Sequence, residues 1–507
     1  MRSENSVRNS LAAIMGQTLS VIFGFVTRIW FVKILGEAYL GVNGVFCSVL
    51  SLLSLTELGL GSAMTFALYK PIAAHDDVST AKVMNLYAKC YRVVALAITA
   101  LGVCLIPFLG YLTRKVPEVE HLTLIYLLFL ANSAASYLFS YRRALITASE
   151  RDWRNSLNSS VFSVLQNVAQ LVIIVFTGNY ILYLVTGLLC TMLGNIEISL
   201  AAGRLFPFLG KIKGTPDAET KRSIAKNVRA AFVNRFGSVA VTGTDNLLIA
   251  SIDVILVGIY SNYLLILQTV QTILAQIMNA VTASVGNLVA EGNEVRRREI
   301  YSDISFAVAW MYGFCAVALD CLLTRFIQLA FGGGLEIAET AVHLMSLNFY
   351  LGGIRQTNLI FINAAGLFSP VRYKGFVEAA INLCVSLIFI KLGMGLEGVL
   401  LGTTVSCFAT SIWWEPLCVD RFCLHGSIKK WAINNIYFIS ILTCSCIIAN
   451  FICRLMPAGL IGFVASMAVV ITVPNLIFLL LYRKRSEFVF FRDLLARILA
   501  KIFTRAK

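Results

Sequence analysis

Apolar runs of twenty residues and more follow one another along this chain, separated by short polar breaks. A membrane-spanning helix needs about 20 mostly apolar residues. Measured against that length, the runs predict fourteen helices, over residues 11–35, 38–68, 83–110, 122–146, 156–177, 180–203, 229–250, 253–290, 301–331, 338–366, 375–391, 395–419, 434–455 and 459–482. Several are longer than a bilayer requires and must contain turns at the membrane surface. Asp253 and Gly258 suggest a short turn between the seventh and eighth helices. The first run is too long for a signal-peptide core and reads as an uncleaved first span. The predicted class is an all-α polytopic membrane protein.

Composition agrees. Of 507 residues, 58% are hydrophobic and 14% charged, with a mean hydropathy of +0.79, so soluble domains of ordinary composition could not hide the apolar surface. Short loops leave little chain for an extramembrane catalytic domain. The 13 cysteines lie mostly in apolar runs without a CxxC pair, which suits reduced packing residues better than a metal site or a disulfide scaffold. No cofactor is expected.

With the N-terminus in the cytoplasm and the spans alternating, inside segments carry 31 basic residues and outside segments 5. Seven of the 31 fall between Arg204 and Arg229 and eight follow from Arg483. That asymmetry predicts both termini inside. The net charge of +15 then serves anionic leaflet headgroups, and nucleic acid is not needed to explain it.

Sliding the chain along itself by 217 residues lays Tyr39–Phe46 on Leu256–Tyr263, matching Gly41 with Gly258, and matches Gly178 with Gly395, Thr186 with Thr403, Cys190 with Cys407 and Arg204 with Arg421. Such a shift spans six helices, an even number, so the halves would be parallel repeats about an axis along the membrane normal, with a substrate path between them. The expected organisation is an N-lobe over 1–203 (helices 1–6), a basic cytoplasmic linker over 204–228, a C-lobe over 229–420 (helices 7–12), two appended helices within 421–482, and a basic amphipathic tail over 483–507 lying on the inner leaflet.

Four local phrases carry a family resemblance: LGEAYLGVNGVF after the first helix, TELGLGSA (Thr56–Ala63), ITASERDWRN (Ile146–Asn155), and TDNLLIAS with VGIYSNY in the seventh and eighth helices. With the six-plus-six-plus-two plan and the basic central loop, the chain resembles the polysaccharide repeat-unit (Wzx-type) flippases of the multidrug/oligosaccharidyl-lipid/polysaccharide (MOP) exporter superfamily. The resemblance implies a V-shaped cavity between two lobes, alternating access, and an anionic oligosaccharide on an undecaprenyl-diphosphate carrier as cargo. It also implies a cell-envelope setting in the cell membrane, beside the glycosyltransferases and polymerase of the same pathway.

Charges inside spans cost roughly 2.5 to 3.5 kcal/mol on insertion scales, so each must face protein or water. Arg28 in the first helix could bind diphosphate in bidentate fashion or pair with an acid on another helix. Arg355, within GGIRQTN, sits on a face with Gly352, Gly353, Gln356 and Asn358, polar and closely packable as a cavity lining would be. Asp245 falls on Arg28 at the repeat shift and could balance an arginine or take part in cation coupling. Glu57 and Glu378 are candidate gate or coupling carboxylates, and Glu57 could equally cap or snorkel. Lys89, Arg92, Arg142, Arg143 and Arg235 could form a cytoplasmic vestibule that gathers diphosphates, or could serve as ordinary positive-inside anchors. Glu150, Arg151 and Asp152 read as organisers of a turn, and Asp320 and Arg325 as local structure.

Three other functions compete. A lipid II-type flippase differs only in cargo. A cation-coupled multidrug antiporter would want an acidic or aromatic cavity, which Arg28 and Arg355 do not suit. A membrane polysaccharide polymerase would need an outer catalytic loop, and the longest outer loop here, over 111–121, is too short to enclose a site.

Overall fold

The computed structural model describes the backbone of residues 2–57, 60–112, 119–138, 140–149, 151–290, 293–426, 428–490 and 492–493; over 2–15 and much of 230–242 and 279–290 it describes the backbone without side chains. Every regular element among the described residues is helical. Among the described residues, ten stretches are long and apolar enough to cross a membrane. One of these, Thr18–Leu53, overlaps the first two predicted spans. The seventh, tenth and eleventh predicted spans are helical as well but are not in that set.

The first helix, α1 (Arg2–Leu53), is two helices joined at Gly36, whose φ of 82° is a left-handed conformation that glycine adopts without a Cβ penalty. After α2 (Leu60–Ala73), Asp76 caps α3 (Asp77–Cys104) by accepting from the Ser79 N–H at 2.9 Å. Hydrogen bonds from Ser79 hold that carboxyl below its usual value. Then come α4 (Leu122–Tyr137), α5 (Trp153–Thr177), α6 (Tyr180–Leu205), α7 (Ala218–Ile252), α8 (Val254–Ala290) and α9 (Glu294–Phe331). The tenth predicted span breaks at Arg355 into α10 (Glu339–Ile354) and α11 (Gln356–Ala364). The rest are α12 (Lys374–Lys391), α13 (Gly395–Ala409), α14 (Ser411–Val419), α15 (Ile428–Arg454) and α16 (Gly459–Tyr482).

Contacts divide the chain into two compact units, Met1–Ile259 and Tyr260–Lys507. The first therefore takes in α7 and the start of α8, beyond the 204–228 linker read from sequence. Close approaches explain why. A Cβ on Gly243 would fall 2.2 Å from Leu52, and one on Gly41 would fall 2.5 Å from the Val254 carbonyl. Gly258 lies inside α8 instead of in a turn, against the backbone of Gly41, its partner at the repeat shift. Asp253 alone separates α7 from α8 and accepts from the Ile255 N–H at 2.8 Å.

Within the first unit α1 packs along α5, where Thr27 donates to the Asn167 carbonyl at 3.0 Å. In the second unit α9 carries α10, α15 and α16, and Phe306, Phe438, Phe478 and Tyr482 form an aromatic core beside Trp310. Small residues set these distances, as in other membrane bundles: Gly353 meets Tyr312, and Gly402 meets Ser386. Large apolar side chains such as Phe176, Leu455 and Ile461 are exposed, a pattern unsuited to water and natural against lipid.

Candidate functional site

The second unit holds a cluster of four charges at the helix break. Arg355 grips Glu415 of α14 with two bonds, Nε to Oε2 at 3.1 Å and Nη2 to Oε1 at 2.8 Å, and reaches Glu378 of α12 at 3.3 Å. Lys374 closes the ring, 2.5 Å from Glu415 and 3.2 Å from Glu378, and also donates to Ser411 at 3.0 Å. Glu415 is 1% exposed, against 19% for Arg355 and 15% for Glu378. Two cations and two anions cancel, which is how charges persist in a span. The two more exposed members mark the side from which a competing anion could enter.

Asn358, expected in a cavity lining, is buried and accepts from the Tyr301 hydroxyl at 2.7 Å. Its neighbour Gly352 faces open space, while a Cβ on Gly353 would strike Tyr312. The polar, close-packing character read from GGIRQTN thus splits between two faces of the same helix.

In the first unit Arg28 projects from α1 toward aromatic neighbours. Its guanidinium lies 6.0 Å from the Phe31 ring, and Tyr183, Cys47 and Tyr180 are its electrostatic neighbours. Phe31 packs edge-on to Tyr180 and Tyr183 at 5.5 and 5.3 Å, and Asn43 donates to the Tyr180 hydroxyl at 3.3 Å. A cavity of about 150 Å³ adjoins this group, lined by Asn43, Asn132, Gln166, Gln170 and Tyr183. Its amides and phenol form a hydrogen-bonding surface of the kind that suits sugar hydroxyls.

Glu57 follows α1 in a short 3-10 turn inside a tyrosine cage. Tyr91 donates to it, Tyr87 donates to Tyr91 at 3.2 Å, and Tyr137 also bonds to it. The carboxylate is enclosed by phenols instead of snorkelling to the surface.

The comparisons with known proteins bear on this arrangement. Protein-family models give no match and curated proteins give none, whereas solved structures match confidently. The lipid II flippase MurJ in an inward closed conformation superposes with a TM-score of 0.64 at 15% identity, over 94% of this chain and 99% of that one. An inward-facing multidrug resistance MATE transporter of the MOP superfamily gives 0.63 at 16% identity, over 81% and 98%. A MOP transporter from Pyrococcus furiosus gives 0.58 at 15% identity, over 84% and 97%. This is the fold of the MOP-superfamily transporters. At such identities the likeness establishes architecture and leaves the Wzx-type cargo to be argued from the site.

The remaining expected residues disperse over the MOP fold. Arg142 donates to the Ser199 carbonyl at 2.8 Å, and Arg143 to Ser159 and Asn158 at 2.9 and 2.7 Å. Both arginines fasten short segments after α4 to α5 and α6. Lys89 and Arg92 are exposed on α3, and Asp245 is partly buried in α7. The Arg235 side chain lies outside the described residues, as do Glu150 and the tail beyond Asp493. Asp152 accepts from Thr147 at 2.6 Å and from Asn155 at 2.8 Å, the turn network expected of ITASERDWRN. Sequence reasoning gives no role to Glu415, nor any site role to Lys374. The usable signal was a carboxylate in WWEPL inside a predicted span.

Proposed function

We propose that the chain is a flippase that carries undecaprenyl-diphosphate-linked oligosaccharide repeat units from the inner to the outer leaflet of the cell membrane by alternating access, both termini lying in the cytoplasm. The observation that carries this reading is the Arg355–Lys374 cation pair held in a span by internal counter-ions, with Arg28 in the other unit beside a cavity of amides and phenols. A diphosphate cannot enter a low-dielectric path unless cations offset its desolvation. Arg355 keeps its charge between cycles because Glu378 and Glu415 neutralise it. An arriving diphosphate exchanges with Glu378, the more exposed partner, while Glu415 stays as the anchor. Binding by exchange is weak enough to allow release.

Matched length favours a flippase over a drug antiporter. The MurJ structure covers 94% of this chain and the MATE structure 81%, each over nearly its whole own length. The lipid II flippase is therefore the second reading, with the same carrier and a different glycan. The Pyrococcus furiosus transporter was described as having a binding pocket of reversed polarity, so pocket charge varies within this fold and can set the cargo.

The test is transbilayer movement of a fluorescent undecaprenyl-diphosphate oligosaccharide in proteoliposomes containing the full chain. The wild type should move it. The Arg28→Ala, Arg355→Ala double variant should not, and lysine at either position should restore only part of the rate because bidentate geometry is lost. Full movement by the double variant would refute the anionic-cavity mechanism and put the antiporter reading ahead.

A further inference from the structure

A second group of ionisable side chains lies in the second unit where the appended helix α15 meets α9 and α10. By helix rise, Asp320 sits about 16 Å from the C-terminal end of α9, and its side chain is 2% exposed. His343 Nδ1 of α10 lies 2.7 Å from Asp320 Oδ1, while Oδ2 accepts from Asn450 at 2.5 Å and from the Cys446 thiol at 2.9 Å, both on α15. One carboxylate therefore ties three helices together, and an imidazole is its direct basic partner. The His343 side chain is 44% exposed.

The site is reached through two cavities. One, of about 480 Å³, has Asp320, His343, Ser346 and Asn450 on its wall among mainly apolar neighbours such as Val317, Leu442 and Phe451. The Ser346 hydroxyl, on a residue 4% exposed, has no protein partner and lines the same space; buried polar atoms of this kind are commonly met by water. The other, of about 530 Å³, shares Asp320, Asn450 and Arg454 and extends to Met456, Ala458 and Gly459 in the turn after α15. This second cavity, with Thr324, Arg325, Gln328 and Glu339 also on its wall, joins the turn to the carboxylate along a partly polar lining.

Other charged groups surround the pair. On α9, Arg325 donates to the carbonyls of Cys453, Met456 and Pro457. Arg454 of α15 pairs with Glu339 of α10, which also lies 3.8 Å from His343 Nε2. The thiols of Cys321 and Cys453 complete the ionisable set. Among side chains, histidine is the one whose ordinary titration falls between pH 5 and 8.

We propose that Asp320 and His343 form a proton-binding site whose occupancy sets how α15 and α10 clamp onto α9, making H+ the coupling ion of the transporter. This proposal rests on the transport reading above. With the proton bound, Asp320 and His343 form an ion pair that tightens α10 on α9. The proton's departure leaves the carboxylate held by Asn450 and Cys446 alone, and α10 is freed to move. Nothing in the Arg355 cluster takes part, so cargo and proton occupy separate sites and are linked through α9 and α10.

The experiment measures the ratio of transbilayer rates with and without an imposed pH gradient, using the same fluorescent lipid-linked sugar in proteoliposomes. The wild type should show several-fold acceleration, and His343→Gln and Asp320→Asn should bring the ratio to one. A ratio unchanged in His343→Gln, or acceleration by a Na+ gradient in place of a pH gradient, overturns the proposal. Should Asp320→Asn not fold, His343→Gln decides. If the wild type moves no lipid-linked sugar, the function above fails and the proton site is read without cargo. Infrared difference spectra between about pH 5 and 8 should then show imidazole and carboxyl bands that change in both variants, and wild-type bands unaltered by either substitution would sink it.

Discussion

Glu415 is nearly inaccessible yet bonded to both cations of its cluster, so its removal should do more harm than removal of either cation. In Glu415→Ala, Arg355 and Lys374 would share Glu378 alone, and breaking a buried pair costs about 3 to 5 kcal/mol. Lys374 and Glu378 retain part of the network, so a loss near the lower end, about 3 kcal/mol, is expected. Combining Glu415→Ala with Arg355→Met should recover much of it, because the stranded charge disappears with its partner. Thermal melting of the four proteins of this cycle in detergent gives the coupling directly, and additive losses would mean the pair is not coupled. The cluster was half legible in the sequence. Arg355 and Glu378 stand out because each interrupts an apolar run, and Glu415 does the same in WWEPL. What a linear pattern cannot supply is which charges on α10, α12 and α14 converge, since that depends on how the broken helices fold over one another.

At the scale of elements, each of the fourteen apolar runs overlaps helix among the described residues, because a backbone crossing a bilayer must satisfy its own polar groups. Breaks inside the runs were less legible. The tenth span parts at Arg355 without a proline or a positive φ, and its two consecutive glycines have different surroundings. A Cβ at 353 would lie 2.1 Å from Tyr312 Cδ1, whereas at 352 it would meet nothing within 4 Å. Gly353→Ala should therefore destabilise by about 1 to 3 kcal/mol through overpacking, and Gly352→Ala should be neutral or mildly stabilising through helix propensity. Equal melting temperatures for the two variants would show that α9 yields at Tyr312. The start of the tail is equally specific. Phe488 stacks on Trp310 at 5.9 Å and Glu487 accepts from Ser302 at 2.7 Å, so 486–488 dock on α9, where the sequence reading laid the whole tail on lipid. Truncation after Arg485 should lower the melting temperature by several degrees. An unchanged melting temperature would mean that the docked contacts contribute nothing.

At the scale of the whole molecule, orientation is set by charge. The fourteen spans read from sequence are an even number, so on that reading one side of the alternation holds both termini and the segment between α6 and α7. That side collects 31 basic residues against 5 on the other. Moving lysine or arginine outward across the membrane is opposed during insertion, and the bias is strongest for short loops close to span ends. The loops here are short enough for the rule to apply, and the segment from Arg204 to Arg229 alone carries more basic residues than all the outside segments together. Asp217, which caps α7 in that segment through bonds from Thr220, and Glu219 reduce its net charge without changing the outcome, since acidic residues contribute little to the bias. Reporter fusions at Lys213 and at the C-terminus should therefore both report cytoplasm. A fusion within 111–121, which the sequence reading places outside, should report the opposite side, providing an internal control for the alternation. Cytoplasmic signal at Lys213 with external signal at the C-terminus would require an odd number of crossings between them, and the eight spans counted from α7 to α16 would then be wrong. External signal at both would invert the protein and with it the direction of the proposed transport, placing the basic face where the cargo leaves instead of where it is collected.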